Sequence, residues 1–238
     1  MSRIAIIAAL PREIELITRG WSRRPVQFGS RKLLVAWSDQ AIAVAAGMGA
    51  ANAVRALDLL QTSDELRDLG PISAVASVGF AGALTSEAYV GKVLRPSTVL
   101  DVRTGERYAA AEGDGSLCVT LPVVAEQPEK ARLTDTYNAQ LVDMEAAALA
   151  RICSSQVTPF YAFKAISDGS GFSLPALNNF PSPEGEFRTA AFALHVAMRP
   201  WLWRSAVELG RGAGVAKLTL AAEIRAWLAS QSGEHLSL

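Results

Sequence analysis

Metal-binding and disulfide-forming residues are scarce in this sequence. It has two cysteines, Cys118 and Cys153, and two histidines, His195 and His235, in 238 residues. The cysteines have no CxxC spacing and the histidines are not near them, so neither a disulfide framework nor a zinc site is expected. An excess of one charge is missing as well: Lys plus Arg and Asp plus Glu number 23 each. No overall field is available to hold a polyanion, which argues against nucleic acid as a partner and for small uncharged or zwitterionic ones. No apolar run approaches the roughly 20 residues of a membrane-spanning helix. The start, Met1-Ser2-Arg3 followed by Ile4 to Leu10, is basic then apolar like a signal peptide. Pro11, Arg12 and Glu13 end that run after about seven residues, and no small-residue cleavage site follows, so a reducing cytoplasm is the expected location.

Apolar residues, by contrast, are plentiful. Half of the chain is hydrophobic, enough for a large core and incompatible with disorder. Short runs rich in Ile, Val and Ala alternate with stretches of helical spacing, the pattern of a largely parallel sheet covered on both faces. Strands are predicted at 3–9, 33–38, 42–46, 74–78, 92–99, 118–121, 140–143 and 160–166, and helices at 11–18, 51–62, 128–136 and 144–154. Beyond Phe187 the pattern is helical, with breaks at Pro200 and at Gly210 to Gly214, predicting three helices up to Ser230. The expected fold is therefore α/β: a three-layer αβα body over 1–198 with a central mixed, largely parallel twisted sheet, and a helical C-terminal extension over 199–238 packed on it. Residues 168–186, rich in Gly and Pro, have no regular pattern and read either as a lid or as a surface connection.

In an open parallel sheet, ligands collect beyond the carboxyl ends of the strands. Three acids fall there: Glu13, Glu145 and Asp168, with the turn Gly79-Phe80-Ala81-Gly82 placed similarly. Each acid alone has a structural explanation, because the helix dipole favours carboxylates at helix N-termini and Asp favours turns. Together they form the inventory that glycosidic cleavage needs. One acid protonates the leaving base, one carboxylate steers water, and a third holds the sugar hydroxyls while positive charge develops.

At these same residues the sequence resembles the family of purine nucleoside phosphorylases and methylthioadenosine/S-adenosylhomocysteine nucleosidases. The segments that carry the resemblance are Ile4-Ala5-Ile6-Ile7-Ala8-Ala9-Leu10-Pro11-Arg12-Glu13, Gly47-Met48-Gly49-Ala50-Ala51-Asn52-Ala53, Val78-Gly79-Phe80-Ala81-Gly82-Ala83, Val142-Asp143-Met144-Glu145-Ala146 and Lys164-Ala165-Ile166-Ser167-Asp168. The resemblance implies a nucleoside phosphorylase-like fold in a homo-oligomer, with Asp168 as the acid at purine N7 and Ser167 orienting it. It implies that Glu13 positions water and that Met144 and Glu145 border the ribose. Ala81 and Gly82 would line the pocket for base and sugar, and Phe80, Asp143 and Lys164 complete the expected substrate contacts. No metal or cofactor is implied, with phosphate as a conceivable co-substrate.

Three departures from the family pattern bear on function. Phe80 stands where small residues are usual, Lys164 replaces an arginine, and Pro122-Val123-Val124 stands where an aromatic often meets the base. The arginines of hexameric phosphorylases are missing, which favours hydrolysis over phosphorolysis, because a dianion needs cations. The tail Arg199-Pro200-Trp201-Leu202-Trp203, with 218–228, is similar to that of the hopanoid-associated phosphorylase branch. That similarity implies an adenosyl-hopane-like substrate with an apolar 5′ substituent. Trp201 and Trp203 would then rest at a membrane surface, or serve as core or subunit contacts. Two rival readings stay open. Gly47-Met48-Gly49 before a helix suggests a dinucleotide site but lacks the third glycine and the distal acid. A scaffold without catalytic activity is the other. Replacing Asp168 by Asn is expected to cost activity with modest change in stability.

Overall fold

The computed structural model describes residues 2–180, 182, 185 and 187–234. Among these, eleven strands form one sheet: β1 (Arg3–Ala8), β2 (Ser22–Phe28), β3 (Arg31–Trp37), β4 (Ala41–Ala45), β5 (Ile72–Ala83), β6 (Val93–Leu94), β7 (Thr98–Asp101), β8 (Arg107–Ala109), β9 (Leu117–Thr120), β10 (Leu141–Asp143) and β11 (Phe160–Asp168). Six α-helices accompany them: α1 (Pro11–Ile14), α2 (Ala50–Thr62), α3 (Gln127–Tyr137), α4 (Ala146–Gln156), α5 (Thr189–Ala197) and α6 (Trp203–Glu234). The sheet order is β2-β3-β4-β1-β5-β10-β9-β7-β8, with β11 and then β6 branching from β5.

The sheet is mixed. Strand β1 runs parallel to β4 and β5, β11 runs parallel to β5, and β9 runs parallel to β7 and β10. Helices α2 and α4 cover one face through Ala53, Ala56, Leu57, Leu149 and Cys153. On the other face, Ile14 and Ile17 meet Ala216, Leu220 and Ile224 of α6, and Trp227 packs its ring 4.8 Å from Phe163. Burial on both faces explains why the central strands are continuous apolar runs rather than alternating ones. Helix α6 is thus part of the sandwich, and no helix of the described residues is long and apolar enough to cross a membrane.

Strand β5 decides where a site can form. Its residues Val75 to Ser77 pair with β1 on one edge and β11 on the other, while Gly82 and Ala83 pair with β10 on the edge that β1 has left. Between the end of β1 and the start of β10, that edge of β5 is open at Gly79 to Ala81.

Several elements depart from the sequence reading. Strand β2 was not expected, because Pro25 and its polar neighbours disguise it; it is an edge strand, where a missing N–H is tolerated. The expected strand 92–99 is split into β6 and β7 around Pro96, and short β8 was not expected. Helix α1 ends after one turn. In the tail, a short 3₁₀ turn at Pro200–Leu202 separates α5 from α6, but α6 runs unbroken through Gly210, Gly212 and Gly214. The cause at Gly212 is packing: a Cβ there would sit 2.1 Å from the Ser167 carbonyl oxygen. Trp201 and Trp203 are 73% and 52% exposed, so neither belongs to the core.

Candidate active site

Beside the open edge of β5 lies a cavity of about 270 Å³, and Glu13, Glu145 and Asp168 all line it, with Phe80, Ala81, Gly82, Met144 and Ser167. Each acid arrives by a different route.

Glu13 is buried in the first turn of α1. Its Oε2 accepts the N–H groups of Ala9 (2.9 Å) and Leu10 (2.7 Å), and its Oε1 accepts that of Phe80 (2.9 Å). The carboxylate therefore bridges the end of β1 to the open edge of β5. A carboxylate has about four acceptor positions, so one remains for a water or hydroxyl. Burial raises its pKa, opposed by the Leu10 and Phe80 amides. Gly79 leaves room for it, since a Cβ at that position would lie 3.0 Å from Oε1.

Glu145 is the N-cap residue of α4, and its Oε1 accepts the Gly49 N–H at 2.7 Å. Gly49, with φ 94°, is in turn the N-cap of α2, so the glycine motif presents its amide to this acid. Burial, and then repulsion from Asp143, raise the Glu145 pKa from 4.5 to about 7.

Asp168 ends β11 at a bulge. Ile166 pairs with Ala81 and Asp168 with Gly82, leaving Ser167 as the extra residue that re-aims the acid. The Ser167 hydroxyl donates to Asp168 Oδ1 at 2.8 Å, and the buried Lys130 ammonium lies 2.5 Å from Oδ2. A Cβ at Gly82 would come within 3.1 Å of Oδ2, so this glycine keeps the acid's place open.

Two expected substrate contacts are already engaged by protein groups. Both oxygens of Asp143 are taken: Oδ1 accepts from Thr120 (2.6 Å), and Oδ2 accepts from the Ala146 N–H (2.9 Å) and pairs with Lys164 (2.7 Å). The buried Lys164 also donates to Ser77 and does not line this cavity. Burial works against the Lys164 charge, but Asp143 and Glu145 outweigh it and its pKa is raised. The pair is thus a strut beneath Glu145. Cys118 and Cys153 are buried thiols whose pKa burial raises, which removes them as nucleophiles. Among the described residues no group of three or more His, Cys, Asp or Glu could hold a metal ion.

The sequence allowed for a tail that shelters an apolar substrate, but did not point to Lys130 or to the residues of the apolar wall, Leu177, Phe187, Phe192, Ala206 and Leu209. Much of that wall comes from the irregular segment after Asp168 and from the tail. There Phe172, Leu174 and Leu177 form a cluster with Phe187, Phe192 and Leu209 around the 3₁₀ turn Pro175–Asn179. The segment read as a lid or connection thus forms one side of the cavity, although its Pro181, Pro183 and Glu186 lie outside the described residues. His235 lies outside them too.

Comparisons with known proteins bear on the fold. Residues 109–191 match the family model of the phosphorylase superfamily. No curated protein matches the sequence. Among solved structures, the chain is similar to futalosine hydrolase of Helicobacter pylori, with TM-score 0.65 and 15% identity over 94% of this chain and 97% of that one. It is also similar to 5′-methylthioadenosine/S-adenosylhomocysteine nucleosidase from Neisseria meningitidis in complex with methylthio-immucillin-A (TM-score 0.62, 19% identity, 93% and 99% covered). The corresponding nucleosidase from Colwellia psychrerythraea, in complex with adenine, superimposes with TM-score 0.58 at 18% identity, covering 71% and 84%. Residues 109–191, which include Asp143, Glu145 and Asp168, thus match the phosphorylase superfamily, and the chain has the fold of these nucleosidases.

Proposed function

We propose that this protein hydrolyses the N-glycosidic bond of a purine nucleoside of the adenine type. The observation that carries the reading is the convergence of Glu13, Glu145 and Asp168 on one cavity, each in a different hydrogen-bonding environment. Asp168, held by Ser167, delivers the proton to N7 of the base. Glu145 accepts the ribose hydroxyls and stabilises positive charge on the sugar. Glu13, with one acceptor position left, takes the proton of the attacking water. Phe80, Ala81 and Gly82 form the wall against base and sugar.

Hydrolysis is favoured over phosphorolysis by the cations at hand. Lys130 is paired with Asp168, and Arg12, lying over the Phe80 ring, is the other cation lining the cavity among the described residues. One arginine is a weak receptor for a dianion. The apolar wall at Phe187, Phe192 and Leu209 suits an apolar 5′ substituent, from a methylthio group up to the polycyclic chain of an adenosyl-hopane-like compound. The test is to supply methylthioadenosine, adenosine, inosine and a lipid-like adenosyl compound, each with and without phosphate. The expected result is adenine released independently of phosphate, fastest from a substrate with an apolar 5′ group. Release that requires phosphate would make the enzyme a phosphorylase, and release from none of the four would remove the reading.

A further inference from the structure

Lys130 has no part in the scheme above, yet it is among the largest fully buried side chains of the protein. Helix α3 points it at the cavity, where its ammonium meets Asp168 Oδ2 at 2.5 Å and donates to the Gly169 carbonyl at 2.8 Å. The Phe172 ring lies 6.0 Å away, and Gly82 leaves the space in which the lysine's Cε and the Asp168 carboxylate come together. As a stabilising device this is a poor choice: desolvating two charges offsets much of their attraction, and an apolar side chain of similar volume packs as well. Its position beside the proton donor is better explained by chemistry.

Resting on the nucleosidase reading, we infer that Lys130 is a positioning residue for Asp168 that offsets the charge appearing on it during the reaction. As the C1′–N9 bond breaks, its electron pair goes to the base and N7 takes the proton of the Asp168 carboxyl group. Water adds its oxygen to C1′ and gives a proton to Glu13. Asp168 is left as the carboxylate that pairs with the Lys130 ammonium in the free protein; the proton on Glu13 goes to solvent, and the next nucleoside binds with uptake of one proton from solvent at Asp168. The Ser167 hydroxyl and the Lys130 ammonium together hold one carboxylate oxygen each, so the acid cannot swing away from the base.

The experiment compares Lys130→Met with wild type on two substrates: the nucleoside cleaved best by wild type, and 4-nitrophenyl β-D-ribofuranoside, whose phenolate leaves without being protonated. The expected result is a kcat on the nucleoside lower by about 100-fold with KM little changed, and a near wild-type rate on the nitrophenyl riboside. Lys130→Arg, which keeps the charge, restores part of the nucleoside rate; should the Met variant not fold, Lys130→Gln against Lys130→Arg gives the same comparison. Equal losses on both substrates, or none on the nucleoside, would overturn the role of Lys130. A wild-type protein that cleaves no nucleoside at all would instead overturn the functional reading beneath it.

Discussion

Asp168 is held between a hydroxyl and an ammonium, and both neighbours affect what a substitution does. Asp168→Asn removes the proposed proton donor, and base release is expected to fall about 10²–10⁴-fold in steady-state assays. Sequence alone suggested only a modest change in stability. With Lys130 buried against it, the same change strands an ammonium, and denaturant unfolding should show a loss of roughly 3 kcal/mol. Glu145 carries a pH prediction. Its folded pKa of about 7 lies above the usual 4.5, so between those values the unfolded chain releases a proton that the folded one keeps. Its contribution to stability is therefore present below pH 4.5 and lost as pH rises through about 7, while the capacity proposed for it, to accept ribose hydroxyls, grows over the same range. Glu145→Gln should flatten the fall in melting temperature across this window; an unchanged slope would show that another group titrates there. The three acids were legible because a carboxylate just past a strand end is a local pattern. Lys130 was not, because a lysine in a polar helical stretch reads as solvated, and only the fold, which sets its side chain beside Gly82 and Asp168, buries it.

At the scale of elements, the approach of α6 to the end of β11 is set by a missing side chain. Gly212→Ala would place a Cβ 2.1 Å from the Ser167 carbonyl, a backbone atom that cannot rotate aside. The helix or the bulge must shift, and Asp168 is the next residue. The expected outcome is lower kcat together with a lower melting temperature, although alanine is the better helix former in isolation. At the far end of α4 the opposite holds. Val157 adopts φ 54° with its side chain 91% exposed, a strained conformation with little packing in return. Val157→Gly should stabilise the protein by about 1 kcal/mol without altering activity, measured by thermal unfolding. The parallel strands were legible because burial on both faces writes an uninterrupted apolar run. Edge strands β2 and β8 were not, since partial exposure leaves them polar, and Gly212 of α6 looked like part of a break because the Ser167 carbonyl it fits against is distant in sequence.

For the whole molecule, the sheet brings Glu13, Glu145 and Asp168 from three strand ends to one opening, and the C-terminal region adds an apolar wall. The layered fold follows from the periodicity of the strands and helices. The wall did not, because Leu177, Phe187 and Leu209 come together only when an irregular segment folds back beneath α6. Replacing Phe192 by Ser should raise KM for nucleosides with an apolar 5′ group more than for adenosine, by roughly 10-fold for burial of one such group. Equal changes for both would show that the wall does not meet the 5′ end. The most direct measurement of the central claim is turnover of 5′-methylthioadenosine in ¹⁸O-labelled water without phosphate. Free adenine with label at the sugar C1 is the predicted result; unlabelled sugar, or adenine that forms only when phosphate is added, would contradict it.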